Sequence, residues 1–275
     1  MSEKDLRKVI ADWQMSEGEC LLSRVEQMIR PALLGGYFGA SYTRFVSGLQ
    51  YHLGGELDTS DLAALANIAS YDHVLDVCCF IGGPALQLAD AFQCKVSGID
   101  IAENSILAAN RIAHLTKLSH LLDFLIVDAG NLPFEDGRFT VVWNQASLAH
   151  EESWLREFDR VLVPGGRLAL TFQFRGTNSE EDDSYCSWTI QDVVALLEDL
   201  GYSIEHVNDL TGRDTEIGWK RLDQKLSNQE KEFAELLDEE WVDNAHNDFQ
   251  KRDRKDEERF VGKRQDNRHQ NGDSH

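Results

Sequence analysis

The chain has 275 residues, of which 42% are hydrophobic, and its 27 basic and 48 acidic residues give a formal net charge of −21. A field of this sign repels phosphate backbones and anionic lipid head groups, which argues against nucleic acid and membrane surfaces as partners. The length accommodates one main domain with smaller additions.

The first 58 residues are predicted to form a helical cover. Apolar residues recur at three- and four-residue spacing over residues 3–30, which indicates two helices, and the aromatic-rich residues 31–57 lack periodicity and predict an ordered cover loop. The opening MSEKDLRKVIADW is charged and amphipathic, so we expect neither a secretory signal nor a membrane span, and a cytoplasmic location by default.

Residues 59–210 are predicted to form the main domain, in which strands alternate with helices. Thr59 is expected to cap a helix that runs through Ile68. Strands are predicted at 74–77, 95–99, 123–127, 140–144, 167–172 and 203–207. This alternation favours an α/β fold with a doubly wound, mostly parallel, Rossmann-like sheet, for which we expect seven strands in all.

Beyond the main domain, residues 211–260 are predicted to form an acidic helical extension and residues 261–275 a disordered tail. Apolar residues between Leu222 and Trp241 predict one amphipathic helix laid over the domain. The five cysteines are an odd set without paired metal-ligand spacings, so we expect reduced thiols and no metal site.

Polar side chains follow the predicted strands, where ligands of such sheets bind. Asp100 lies 24 positions after Asp76, a geometry in which one carboxylate takes both ribose hydroxyls. Asp76 could organise a ligand ammonium group or serve only as a turn residue. Asp128, beside the free amide of Ala129, could recognise the amino edge of adenine or cap a helix.

The turn after the first predicted strand carries Cys78 and Phe80 where two early glycines are usual, leaving Gly82 and Gly83 for close backbone approach. A side chain as large as Phe80 obstructs a pyrophosphate, which disfavours dinucleotides. S-adenosylmethionine offers the same adenosine without phosphate, and suits an acidic pocket better.

Four motifs in order, VLDVCCFIGGPA, GIDIAENSI, DAGNLPFEDGRFTVVWNQASLAH and FDRVLVPGGRLAL, resemble class I S-adenosylmethionine-dependent methyltransferases over roughly residues 50–210. YHLGG and WNQASLAH resemble the small-molecule branch with glycine, sarcosine and dimethylglycine N-methyltransferases. In that family the positions of Cys78 and Phe80 are usually glycine, and that of Ala146 is often acidic.

The resemblance implies a full set of cofactor contacts. The methionine moiety would lie among Asp76, Gly82 and Gly83 with Cys78 in the same turn, the ribose on Asp100 and Ile101, the adenine on Asp128 and Ala129, and the sulfonium against Asn144 and Gln145.

Methyl transfer needs an in-line nucleophile, so positioning and desolvation supply most of the acceleration. The candidate catalytic residues are Gln145 and His150, which could accept a substrate proton or be a structural histidine at a helix start. The candidates for a cationic-substrate box are Tyr37, Tyr42, Tyr51 and Trp188, with core packing as the alternative for each.

The sequence therefore predicts a methyltransferase acting on a small molecule, with an amine as the first choice of acceptor. A quinone- or sterol-like carbon or oxygen acceptor, a binding or regulatory module that has lost turnover, and a nicotinamide dehydrogenase are the alternatives. A homodimer is left open.

Overall fold

The computed structural model describes residues 49–50, 52–148, 151–174, 188–210, 218–236, 239–251 and 257–264. The strands of this part of the chain are β1 (His73–Val77), β2 (Lys95–Asp100), β3 (Leu122–Ile126), β4 (Phe139–Gln145), β5 (Leu162–Gln173), β6 (Tyr202–Asp209) and β7 (Glu257–Arg264). Its helices are α1 (Gly55–Leu65), α2 (Gly83–Phe92), α3 (Glu103–Leu115), α4 (Glu152–Val161), α5 (Ile190–Asp199), α6 (Trp219–Asn228), α7 (Glu230–Leu236) and α8 (Glu239–Lys251).

The strands form one sheet in the order β3-β2-β1-β4-β5-β7-β6. β1 pairs in parallel with both β2 and β4, and β7 is antiparallel to β5 and to β6. This mostly parallel α/β sheet confirms the predicted fold class. Because the strand order reverses at β1, a crevice lies beyond the carboxyl ends of β1 and β4, the position at which such sheets bind ligands.

Both faces of the sheet are covered. Val74 belongs to an apolar cluster that includes residues of α1, α2, α3 and the C-terminal helices, whereas its neighbour Leu75 belongs to a second cluster with α4 and α5. Successive side chains of a strand point to opposite faces, so the strands read as continuous apolar runs. The sheet is therefore doubly wound.

Three sequence predictions differ from the observed elements. α1 begins at Gly55, so Thr59 is an interior residue and not a cap, and the predicted domain boundary after residue 58 falls within this helix. The C-terminal apolar pattern forms three helices, α6 to α8, and not one. β7 spans the predicted boundary after residue 260, so residues 261–264 lie in a strand and not in a disordered tail.

The predicted N-terminal helices and most of the cover loop lie outside the described residues. Among the helices that are described, none is long and apolar enough to cross a membrane.

Candidate active site

A pocket lies at the carboxyl ends of β1 and β4 and contains about 480 Å³ of empty space, part of it open to solvent. Its lining comes from three places: the β1–α2 turn with Asp76 and Phe80, the end of β4 with Gln145, and the segment before α1 with Leu49 and His52. The described residues thus bring together the turn and the strand end that the sequence singled out.

The β1–α2 turn has an unusual backbone. Cys78 has φ 57°, Phe80 φ 53° and Gly82 φ 81°, all in the left-handed region. A non-glycine residue there costs about 1–2 kcal/mol because its Cβ approaches the backbone. Strain of this kind persists where the surrounding structure holds it, and here it is stored in the pocket wall.

Gly83 lets the backbone of Leu49 pack directly against the start of α2. A Cβ at this position would stand 2.0 Å from the carbonyl oxygen of Leu49. The segment that precedes α1 therefore rests with its backbone directly on the first residue of α2. No larger side chain fits without moving it.

Asp76 is buried at the end of β1, with 2% of its surface exposed. Its Oδ2 atom has no hydrogen-bond partner among the described residues. Burial, and then the nearby Asp100 carboxylate, raise the pKa of Asp76 to about 8. A buried carboxyl group in this state can take an ammonium group as its missing partner.

Asp100, at the end of β2, is held in place by two backbone amides. Its Oδ2 accepts a hydrogen bond from the Phe80 amide at 3.0 Å, and its Oδ1 accepts one from the Ala102 amide at 2.9 Å. Each carboxylate oxygen keeps a second lone pair, enough for two ribose hydroxyls. Ile101 beside it is 75% exposed and stays a predicted ribose contact.

Asp128 is exposed, and its Oδ1 accepts a hydrogen bond from the Gly130 amide at 2.9 Å, as a turn residue would. Ala129 is buried. The Asn144 side chain is fully buried and donates from Nδ2 to the Val77 carbonyl at 2.9 Å, which ties β4 to β1. These three residues stay predicted cofactor contacts.

The Cys78 thiol is neutral. Burial, with the Asp100 carboxylate as the next cause, raises the pKa of Cys78 to about 12. A neutral thiol is a poor nucleophile, so this residue shapes the pocket and does not attack a substrate.

The side chain of Gln145 is held in place by hydrogen bonds. Its Oε1 accepts hydrogen bonds from Trp143 Nε1 and Thr59 Oγ1, each at 3.0 Å, and its Nε2 donates to Asp58 Oδ2 at 3.2 Å. His52 lies next to this group, with Nδ1 3.4 Å from Asp58 Oδ2. Sequence reasoning missed Asp58, Thr59 and His52 as site residues, since only the polar residues around YHLGG hinted at them.

The remaining predicted residues are not placed in the pocket by the described part of the chain. His150, Tyr37, Tyr42 and Tyr51 lie outside the described residues. Trp188 packs against the apolar cluster on the α4 and α5 side, and the described lining does not include it. Their catalytic and substrate-binding roles stay predictions.

Comparison with protein families gives one domain match. The family described as "Methyltransferase domain" matches residues 74–166, which run from β1 into β5 and contain most of the pocket-forming turns.

Among curated proteins, the 27-O-demethylrifamycin SV methyltransferase of Amycolatopsis mediterranei is 39% identical over 115 residues, 41% of this chain and 42% of that protein. Phosphoethanolamine N-methyltransferase 1 of Arabidopsis thaliana is 27% identical over 201 residues, 69% of this chain and 40% of that protein. The chain thus spans less than half the length of these two relatives.

Among solved structures, phosphoethanolamine N-methyltransferase 2 of Haemonchus contortus with S-adenosyl-L-methionine has a TM-score of 0.73 at 19% identity, over 86% of this chain and 60% of that chain. The cyclase SpnF has a TM-score of 0.64 at 21% identity, over 89% of this chain and 96% of that chain. At these identities the likeness shows the fold alone.

Proposed function

We propose that the protein transfers a methyl group from S-adenosylmethionine to a small molecule, because residues 74–166 match the family described as "Methyltransferase domain". We propose an amine as the acceptor. The activity of the whole protein is part of this proposal, since the chain spans only part of its relatives.

The observation that carries the proposal is the buried Oδ2 of Asp76, which has no described partner and lies in the pocket wall. The methionine end of S-adenosylmethionine carries an ammonium group, which supplies the hydrogen-bond donors and the charge that this oxygen needs. Asp100 stands one strand away with lone pairs for the ribose hydroxyls. The residues present therefore fit the cofactor.

When bound, S-adenosylmethionine supplies a methyl group on a positively charged sulfur, with a neutral thioether as the leaving group. The protein must align the acceptor on the far side of that methyl group and keep water away. Phe80, Pro84 and Leu49 provide apolar walls of the pocket. Gln145, fixed by three hydrogen bonds, forms the part of the pocket wall at the end of β4.

An amine acceptor must lose a proton around the time of transfer. We assign this proton to His150, with Tyr37, Tyr42, Tyr51 and Trp188 as the aromatic surface for a cationic substrate. The phosphoethanolamine N-methyltransferases among the relatives support an amine.

Two other functions have a specific observation behind them. The 39% identical relative is named as a methyltransferase of 27-O-demethylrifamycin SV, which favours an oxygen acceptor. Phe80 lines the pocket, and the similarly folded SpnF is named a cyclase, which favours a protein that uses this fold without methyl transfer.

Calorimetry with S-adenosylhomocysteine tests the proposal first, and we expect binding of one molecule per chain. Incubation with methyl-labelled S-adenosylmethionine and panels of amines, alcohols and phenols then identifies the acceptor atom. Absence of binding at millimolar S-adenosylhomocysteine would remove the proposal. Binding without labelled product from any panel would favour the binding module.

The net charge of −21 supports the further proposal that neither nucleic acid nor a membrane surface is a partner. A cytoplasmic location and a homodimer stay predictions. Cell fractionation tests the location and sedimentation tests the assembly.

A further inference from the structure

A chain of buried polar side chains lies behind the pocket wall and centres on His52, which is 7% exposed. Its Nε2 lies 3.0 Å from Gln50 Oε1 and 3.2 Å from Thr59 Oγ1, and its Nδ1 lies 3.4 Å from Asp58 Oδ2. Both ends of this chain of contacts have a fixed donor or acceptor role, and together they decide the protonation of Nε2.

The first fixed end is a backbone carbonyl. Gln87 Nε2 lies 2.9 Å from the Glu56 carbonyl oxygen, which can only accept, so this atom is the amide donor and Gln87 Oε1 is the acceptor. Gln50 therefore points its Nε2 at Gln87 Oε1, at 2.7 Å. Its own Oε1 then faces His52 Nε2, which must carry a proton.

The second fixed end is the Trp143 indole, which can only donate. It makes Gln145 Oε1 an acceptor. The Thr59 hydroxyl proton goes either to that oxygen at 3.0 Å or to Gln50 Oε1 at 3.3 Å, and both are acceptors. Because its single proton is used there, the Thr59 oxygen can only accept a hydrogen bond from His52. This again places a proton on Nε2.

The other ring nitrogen, Nδ1, faces a carboxylate. Asp58 is 1% exposed, and its Oδ2 already accepts from Gln145 Nε2 at 3.2 Å. A bare nitrogen lone pair would be repelled by this oxygen of an ionised Asp58, whereas an N–H would be attracted. The arrangement therefore favours a proton on both nitrogens.

We propose that His52 is a positioning residue: as an imidazolium paired with Asp58, it docks the cover segment (residues 49–50 and 52–54) against the methionine end of the donor pocket. The inference rests on the proposed function, and it names the residue that holds the cover segment against the pocket.

The contacts of the cover segment agree with this role. Its Leu49 carbonyl rests on Gly83, and Leu49 and His52 both line the pocket with Asp76. The C-terminal helices hold the other end of the segment, because Arg221 of α6 donates a hydrogen bond to the Gly54 carbonyl at 2.6 Å. Among the described residues, the charged or titratable groups near His52 or its segment include Asp58 on α1, Asp76 and Cys78 on the β1–α2 turn, and Arg221.

The protonation state has a direct spectroscopic test. In ¹⁵N-histidine-labelled full-length protein at pH 7, we expect one ring with both nitrogens in the protonated range, and this signal should be missing in His52→Gln. A His52 ring with one unprotonated nitrogen overturns the inference, with or without ligand.

The positioning role is tested by binding of two probes. S-adenosylhomocysteine has the amino acid end, and methylthioadenosine lacks it. His52→Gln should bind S-adenosylhomocysteine about tenfold more weakly, as expected for loss of a hydrogen bond to a charged group. Its affinity for methylthioadenosine should stay that of the parent. His73→Gln, which changes a half-buried histidine at the opposite end of β1, is the matched control and should bind both probes like the parent.

The outcomes separate the two proposals. A parent that binds neither probe refutes the proposed function. A parent that binds both, with His52→Gln equal to it or weakened equally for both probes, refutes the positioning role of His52 and leaves the proposed function intact.

Discussion

Asp76→Asn gives the sharpest test of the pocket chemistry, because its effect on stability has a sign that depends on pH. In the unfolded chain this carboxyl group ionises near its ordinary pKa of 3.8, whereas burial and Asp100 hold it protonated in the folded protein up to about pH 8. Between these values the folded state binds one more proton than the unfolded state. Stability of the parent therefore falls as pH rises through this window, and the fall ends above the folded pKa.

The magnitude follows from the shift. One pKa unit corresponds to about 1.4 kcal/mol, so ionisation of the unfolded state lowers the free energy of unfolding of the parent by about 4 kcal/mol at pH 7 relative to pH values below 4. An asparagine has the same shape and does not titrate. The variant should therefore gain on the parent by about 1.4 kcal/mol per pH unit between pH 5 and 8.

Urea unfolding of parent and variant at pH 5, 6, 7, 8 and 9 measures this difference. A difference that is constant, or that shrinks between pH 5 and 8, would refute the assignment of a buried, protonated Asp76.

The same residue predicts proton release on ligand binding. An ammonium group beside Asp76 favours its ionised form, so S-adenosylhomocysteine should expel close to one proton at pH 7. Calorimetry in buffers of different ionisation enthalpy counts that proton, and Asp76→Asn should bind weakly and release none. Proton uptake by the parent would contradict the placement of the ammonium group.

Three further variants test the site and its frame. Asp100→Ala should weaken S-adenosylhomocysteine binding about 10- to 100-fold, because it removes charge-assisted hydrogen bonds to the ribose. Asp123→Ala, which removes an exposed carboxylate on β3, is the control, and equal effects of the two variants would refute the ribose assignment. Phe80→Gly removes a pocket-lining ring from a residue with φ 53°, so we expect about tenfold tighter binding of the same ligand by calorimetry; weaker binding would show that the ring supports the ligand. Arg167→Met leaves the fully buried Asp72 carboxylate without its ion-pair partner and should lower the free energy of unfolding by about 3 kcal/mol in urea titrations. An unchanged free energy of unfolding would show that the ion pair does not stabilise the fold.

The sequence by itself determined the α/β alternation, the first six strands and the resemblance to methyltransferases. Apolar runs between helical patterns are local signals, because a parallel strand buried on both faces must be apolar throughout. The positions of Asp76 and Asp100 follow from the same signals, since each residue ends a strand and parallel strands end at one edge. The resemblance to class I methyltransferases, carried by motifs in chain order, is confirmed by the domain match to residues 74–166.

Only the tertiary structure decided what surrounds those carboxylates. Gln145 meets Asp58 and Thr59 across 87 and 86 positions of sequence, and β7 enters the sheet between β5 and β6, long after both in the chain. Such pairings have no local pattern, because a polar side chain reads as exposed until the fold buries it with a partner. Likewise, the left-handed backbone at Cys78 and Phe80 is imposed by the packed turn against their own preference, so residue type alone does not predict it.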